Sequence, residues 1–349
     1  MALSDSVEKK RGDESVGSAI RMAASDLTPA LVATGYPFLL HAFHSIVGPQ
    51  GTRLSSSILV AAAVILGCIF AVPACGLVFA TRQHSAMSAR RLAYACVAAP
   101  TLYVFLGVVQ SMAGSPVPDQ MVWCVLWLGA AYWAWYRSRA PAEERSAPVS
   151  SRWRVVHGIT GAIVLLYVGF HIINHLFGLI GPEAHAAVMD MGRKIYRAPL
   201  IEPLLVALML FQIVSGFYLA WRWSVSALDF QKTFQVASGL YLSLFILGHM
   251  NSVFIYARTY LGIPTGWAFA TGEPSGLIHD PWNIRLLPHY FLGVFFVLAH
   301  LGSGLRVVLI AHGVGRRNAD RIWIACASGS AMIAVAVIIG MCGGRLASL

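Results

Sequence analysis

The stretch TGAIVLLYVGFH, residues 160–171, places a histidine deep inside an apolar run. The run extends on both sides, over about 155–181, and is long enough for a helix to cross a bilayer. The same register returns in SGLYLSLFILGH, residues 238–249, where His249 follows Gly239 by ten residues, as His171 follows Gly161. Ionisable side chains within membrane spans are costly and usually functional. Both histidines are therefore candidate site residues.

The composition places the whole chain in the membrane. Of its 349 residues, 57% are hydrophobic and 11% are charged, with a mean hydropathy of +0.67, whereas soluble domains carry about 25% charged residues. The sequence predicts an all-α, polytopic helical bundle with about nine spans of roughly 20 residues each. These lie near 27–47, 57–80, 92–113, 121–136, 155–181, 200–221, 233–257, 286–311 and 322–342.

The basic residues indicate the orientation of the spans. With the N-terminus in the cytoplasm, seventeen Lys and Arg residues fall in inner segments and seven in outer segments, as the positive-inside rule expects. The net charge of +10 is then mainly a topology signal, with membrane lipid as its natural partner. No soluble domain offers a face for nucleic acid. We expect a multi-pass protein of the cell inner (cytoplasmic) membrane.

Polar stretches divide the chain into four parts. A polar tail over 1–26 precedes a four-helix membrane unit over 27–136, and a polar cytoplasmic linker over 137–154 leads to a five-helix membrane domain over 155–349. The sequence predicts a loop for the outer segment 182–199. The segment LVFATR after Gly76 echoes FYLAWR after Gly216, so the first unit is either a degenerate repeat of the second or a chance likeness between apolar helices.

Four polar residues form two pairs at matched depths. His171 and His249 fall in the outer parts of their spans, and Gln212 and His300 fall near the middle of theirs. Two neutral imidazoles from different helices suit axial ligation of a b-type haem. Gly216 and Gly304, one helical turn from Gln212 and His300, would leave room for a flat macrocycle. His175, one turn beyond His171, is an alternative ligand or a partner for a haem propionate.

Residues 153–312 resemble the cytochrome b membrane anchor of succinate dehydrogenases and fumarate reductases. The resemblance rests on HGITG (157–161), on the Gly-to-His171 and Gly-to-His249 registers, and on HLGSG (300–304). It implies an outer haem b held by His171 and His249. It also implies a second position at His300 and Gln212, which is empty, held by His300 alone, or used for quinone. His157 is expected to contact a haem propionate or a quinone near the inner face, with Arg154 and Trp153 alongside, although Gly158 stands where the family signature has Arg.

The resemblance implies an electron-transport subunit without catalytic residues of its own. It would pass electrons between a membrane quinone and flavoprotein and iron–sulfur subunits of the succinate dehydrogenase or fumarate reductase type, docked on the cytoplasmic face. The chain itself has no GxGxxG after a strand and no cysteine cluster for iron–sulfur ligation. The alternative is a haem-free transporter or structural anchor that uses the intramembrane histidines as a polar path.

Overall fold

The computed structural model describes residues 26–48, 55–83, 86–138 and 151–346, and within these ranges the chain forms helices and turns without strands. The first half contributes six α-helices and the second half eight. They are α1 Thr28–Thr34, α2 Tyr36–Val47, α3 Ser56–Ala80, α4 Met87–Val97, α5 Ala99–Met112, α6 Asp119–Ser138, α7 Ser151–Leu176, α8 Pro182–Tyr196, α9 Ile201–Trp223, α10 Phe230–Met250, α11 Trp267–Thr271, α12 Gly276–His279, α13 Leu286–Ala311 and α14 Arg316–Met341.

Seven stretches of the described chain are long and apolar enough to span a membrane, and the number rises to eight if the bent pair α4–α5 counts as one span. The chain is therefore a multi-pass helical membrane protein. The seven are Thr28–Val47, Ser56–Ala80, Arg152–Leu179, Ile201–Trp223, Phe230–Leu261, Asn283–Ala311 and Arg316–Met341.

By length and composition, the described helices give seven or eight candidate spans where the sequence predicts nine, for two reasons. The span predicted over 92–113 is divided into α4 and α5, whose axes bend by 72°, where Pro100 follows the break. The span predicted over 121–136 forms helix α6, which is not apolar enough to count. Four tryptophans and two tyrosines occupy α6, and such amphipathic rings favour membrane interfaces more than the hydrocarbon core.

Two stretches expected to be loops are partly helical. The linker predicted over 137–154 is helical at both of its described ends, because α6 reaches Ser138 and α7 begins at Ser151; residues 139–150 lie outside the described part. The outer segment 182–199 contains the amphipathic helix α8, with His185, Met189 and Gly192 on its buried face. Of the predicted tail over 1–26, only Asp26 is described.

Helix α10 lies at the centre of the bundle and packs against helices from both halves of the chain. Asp229 caps its start by accepting a hydrogen bond from the Lys232 backbone N–H at 2.8 Å. After Met250 the helix continues as the π-helix Asn251–Leu261, which ends at Gly262 in the left-handed conformation. α10 packs against α9 and α13, and also against α4 and α5 of the first half. The two halves therefore share an interior.

Candidate cofactor site

A cavity of about 840 Å³ lies among α7, α8, α9, α10 and α13, at the ends of α7 and α10 that the charge pattern places outside. Its volume is within the range of small-molecule and cofactor sites. Val164, Val206 and Leu242 are among its apolar walls, and the segment 262–283 lies over its outer end. The cavity is thus an apolar chamber within the bundle.

His171 and His249 face each other across this cavity. Their ring centres are 6.0 Å apart, and their planes meet at 69°. Two imidazoles on opposite sides of one metal ion have ring centres roughly 6 Å apart, since each metal–nitrogen bond is about 2 Å and the nitrogen lies about 1 Å from the ring centre. The observed separation matches that of a pair of axial ligands.

Aromatic rings fix the orientation of both imidazoles. The Tyr167 ring stacks on His171 at 5.7 Å with an interplanar angle of 19°. The Phe245 ring stacks on His249 at 5.8 Å and 7°. Tyr167 lies one turn before His171 on α7, and Phe245 one turn before His249 on α10, so each helix supplies an imidazole together with its supporting ring.

His175 belongs to a second group of polar side chains on the outer side of the pair. Its ring centre is 4.7 Å from that of His171 and 5.2 Å from that of His185. Asn174 donates from Nδ2 to Nε2 of His185 at 3.2 Å, and Trp267 covers the His185 ring at 4.6 Å. Burial, with a smaller contribution from Arg193, lowers the pKa of His185 to about 4. His185 is therefore neutral at neutral pH.

Arginine side chains line the outer rim of the cavity. Arg193 and Arg197 both hydrogen-bond to Thr265, at 3.1 Å and 3.2 Å, and Arg258 forms an ion pair with Glu202 at 2.7 Å. Burial lowers the pKa of Arg197, although a guanidinium keeps its charge under physiological conditions. The rim is therefore a place where carboxylates of a ligand could be neutralised.

Several buried polar atoms around the cavity have no hydrogen-bond partner within the described residues: Asn174 Oδ1, His175 Nδ1, His185 Nδ1, His289 Nδ1 and Arg193 Nε. Because buried polar groups in native proteins are nearly always paired, these atoms are available to bind a ligand in the cavity. No three His, Cys, Asp or Glu side chains of the described chain converge as ligands of a metal ion. A two-histidine site suits a metal that brings its own equatorial ligands, as haem iron does.

The pair His300 and Gln212 does not form a comparable site. His300 Nδ1 lies 2.9 Å from Ser238 Oγ on α10, and the ring packs against Gly239. Gln212 donates to the His157 carbonyl at 3.0 Å and to the Thr160 hydroxyl, both on α7. Each side chain thus binds a neighbouring helix, and neither lines the cavity.

The glycines expected beside a macrocycle also lie elsewhere. A Cβ on Gly216 would collide with Ser243 Oγ, so Gly216 permits close contact between α9 and α10. A Cβ on Gly304 would meet nothing within 4 Å. Neither residue lines the cavity.

Two of the three residues expected at an inner quinone site, His157 and Trp153, take part in helix packing. His157 Nδ1 lies 2.7 Å from Ser215 Oγ. Trp153 stacks on Phe211 at 5.9 Å and lies against Tyr218 at 5.4 Å. Arg154 is exposed on the same turn of α7. None of the three lines the cavity, so the inner quinone position stays a prediction.

Two buried histidines of the cavity were not recognised as site residues in the sequence. His289 is 3% exposed and lies against Phe245 at 4.6 Å, although its position at the start of α13 suggested the outer surface. His185 is 2% exposed on a helix that the sequence presented as a loop. The buried face of α8, with its four-residue spacing from His185 to Met189, is the signal that could have located it.

No protein-family model, curated protein or solved structure matches this chain.

Proposed function

We propose that this protein is a membrane cytochrome b that carries one b-type haem between His171 and His249. The observation that carries the proposal is the facing pair of imidazoles, 6.0 Å apart across a cavity of cofactor size. When bound, a haem supplies one-electron redox chemistry. The protein would contribute the ligands, their orientation and an apolar, low-dielectric surrounding.

Each group of side chains has a part in this proposal. His171 and His249 would hold the iron as neutral imidazoles, with Tyr167 and Phe245 keeping their planes fixed. Arg193 and Arg197 would neutralise the propionate carboxylates at the rim. The valine and leucine walls would exclude water, which favours the less charged state of the iron centre.

The wider role in this proposal follows the resemblance to the succinate dehydrogenase and fumarate reductase anchors. The protein would exchange electrons between a membrane quinone and soluble flavoprotein and iron–sulfur subunits on the cytoplasmic face, in the inner membrane. The basic residues of the inner segments would supply the docking charge. A second haem at His300 has no support in the hydrogen bonding of that residue, so we propose one haem per chain.

The test is a dithionite-reduced minus oxidised absorbance spectrum of the purified protein, with haem counted per chain. We expect a sharp b-type α-band and one haem per chain in the wild type, and loss of the band in His249→Ala and His171→Ala. His300→Ala is the matched control, since it removes a buried histidine of the same bundle that does not line the cavity; it keeps the band. Protein made with ample haem that contains none would contradict the cytochrome and favour a transporter or structural anchor.

A further inference from the structure

The first half of the chain supplies one wall of the cavity. Val104, Val108 and Ser111 of α5 line it, and the Phe105 ring lies beside Gly248, the residue before His249. The Ser111 hydroxyl is 3.3 Å from the Tyr256 hydroxyl on the π-helix. The cavity is therefore composite, and the five-helix domain does not enclose it alone.

The outer end of the cavity is covered by the segment 262–285, which we call the cap. Gly266, Ala270 and Trp282 are among its residues that line the cavity. On the side of α8, the cap is held through Thr265, which binds Arg193 and Arg197. On the opposite side, the cap is attached to residues of the first half.

A buried ion pair fastens the cap to α6. Arg285, the last residue of the cap, donates to Asp119 at 2.6 Å, and the two side chains are only 6% and 16% exposed. The guanidinium lies over Tyr103 at 4.5 Å and Trp282 at 4.6 Å. Gln110 donates to the other Asp119 oxygen. Asp119 is thus fixed on both oxygens, at the first residue of its helix.

Two further bonds connect the cap to α2. His44 donates from Nε2 to the His279 carbonyl at 3.0 Å, and His279 donates from Nδ1 to the Gly48 carbonyl at 2.9 Å. Both bonds are exposed, so they are weaker anchors than the buried pair. The cap is consequently held from both sides, with the Asp119–Arg285 pair as its most buried attachment.

We infer that Asp119 and Arg285 are positioning residues that hold the cap closed over the cavity and so limit access to the His171–His249 site. Access to the cavity does not depend on a bound haem, whereas the effect of the cap on a haem rests on the proposed function. Removing the charge of Asp119 leaves the Arg285 guanidinium buried without its counter-ion, which favours arrangements in which Arg285 and the end of the cap move towards water. Gly107 provides a second way to disturb the pair, because a Cβ there would collide with the guanidinium.

The first experiment measures cavity access without haem. Ser252, which lines the cavity, is replaced by cysteine, and its labelling rate with a maleimide is measured in full-length protein prepared without haem. We expect Asp119→Asn to raise the rate at least about tenfold, equivalent to about 1.4 kcal/mol in the opening equilibrium, and Gly107→Ala to raise it less. Asp119→Glu, which keeps the charge, retains most of the protection.

The matched control is Asp320→Asn. It breaks the ion pair between Asp320 and Arg306, which has the same 2.6 Å length but joins α13 to α14 away from the cavity. It leaves the Ser252→Cys labelling rate unchanged. Equal rates in Asp119→Asn, Gly107→Ala and Asp320→Asn would overturn the inference. If Asp119→Asn does not fold, as judged by size-exclusion chromatography, Gly107→Ala decides the question because it retains both charges.

The second experiment separates this inference from the proposed function. In haem-loaded protein, the transfer of haem to an excess of apomyoglobin is followed, and we expect Asp119→Asn to release haem faster than the wild type and Asp320→Asn do. A chain that binds no haem refutes the proposed function, while the labelling rates still test the cap. A chain that binds haem but shows neither faster labelling nor faster haem release in Asp119→Asn refutes the cap and leaves the cytochrome proposal in place.

Discussion

At the scale of single residues, Gly293 determines how close the Phe245 ring can come to α13. A Cβ at this position would collide with that ring, and Phe245 stacks on His249. We therefore expect Gly293→Ala to press Phe245 against His249 and to change the ligand orientation. The measurement is the electron paramagnetic resonance spectrum of the oxidised, haem-loaded protein, whose g-values report the relative orientation of the two imidazole planes.

Gly304→Ala is the control for this substitution, since a Cβ there meets nothing within 4 Å. It lies on the same helix, and replacing a helical Gly with Ala stabilises by roughly 0.5–1 kcal/mol. We expect an unchanged spectrum and an equal or higher melting temperature. A spectral change in Gly304→Ala would instead support the sequence-based expectation that Gly304 adjoins a macrocycle.

The polar residues of the spans show what sequence can and cannot predict at this scale. The repeated register indicated His171 and His249 as a pair, and the structure places their ring centres 6.0 Å apart in an edge-on arrangement. The same reasoning paired His300 with Gln212, but each has a hydrogen-bonding partner on a neighbouring helix, in Ser238 and Thr160. Depth alone does not reveal the rotation of a helix, so it cannot separate a ligand from a packing contact.

At the scale of elements, α8 supplies a buried histidine outside the membrane spans. Folding lowers the pKa of His185 to about 4 from about 6.5 in an unfolded chain. Between these values the unfolded state binds more protons, so the stability from this group is complete above about pH 6.5 and is lost as the pH falls towards 4. The free energy of unfolding falls by at most about 1.4 kcal/mol per pH unit from this group.

This pH dependence can be assigned by comparing the wild type with His185→Gln. Glutamine keeps an acceptor for Asn174 but does not titrate. We expect the fall in melting temperature between about pH 7.5 and about pH 5.5 to be smaller in the variant, by the equivalent of about 1.4 kcal/mol. All other histidines are present in both proteins, so the comparison reports the effect of replacing His185. An identical fall in both proteins would show that His185 is protonated without cost.

At the scale of the whole molecule, the apolar runs predicted most spans, because burial in lipid requires about 20 apolar residues regardless of the neighbours. The predictions at 57–80, 200–221 and 286–311 agree with α3, α9 and α13. The cap depends on contacts between elements. The packing of α5 into the cavity wall is of the same kind, and no local pattern in the sequence indicates it.

Helix α6 decides the orientation of everything after it. Its 20 residues extend about 30 Å, the thickness of the hydrocarbon core, and Val125, Leu126 and Leu128 are exposed on its surface. If α6 did not cross while α4–α5 did, the five-helix domain would be inverted and the basic linker would lie outside, against the positive-inside rule. We therefore expect α6 to cross the membrane despite its modest hydropathy.

Two single-cysteine additions test this expectation at opposite ends of α6. Val117 and Ser138 are both exposed to the surroundings of the protein. In intact spheroplasts, a membrane-impermeant maleimide should label Val117→Cys directly and Ser138→Cys only after the membrane is permeabilised. The parent chain, with its six native cysteines, gives the background. Labelling of both positions from one side would mean that α6 lies on a single face of the membrane. The cavity that contains His171 and His249 would then open on the side opposite to the one inferred from the charges.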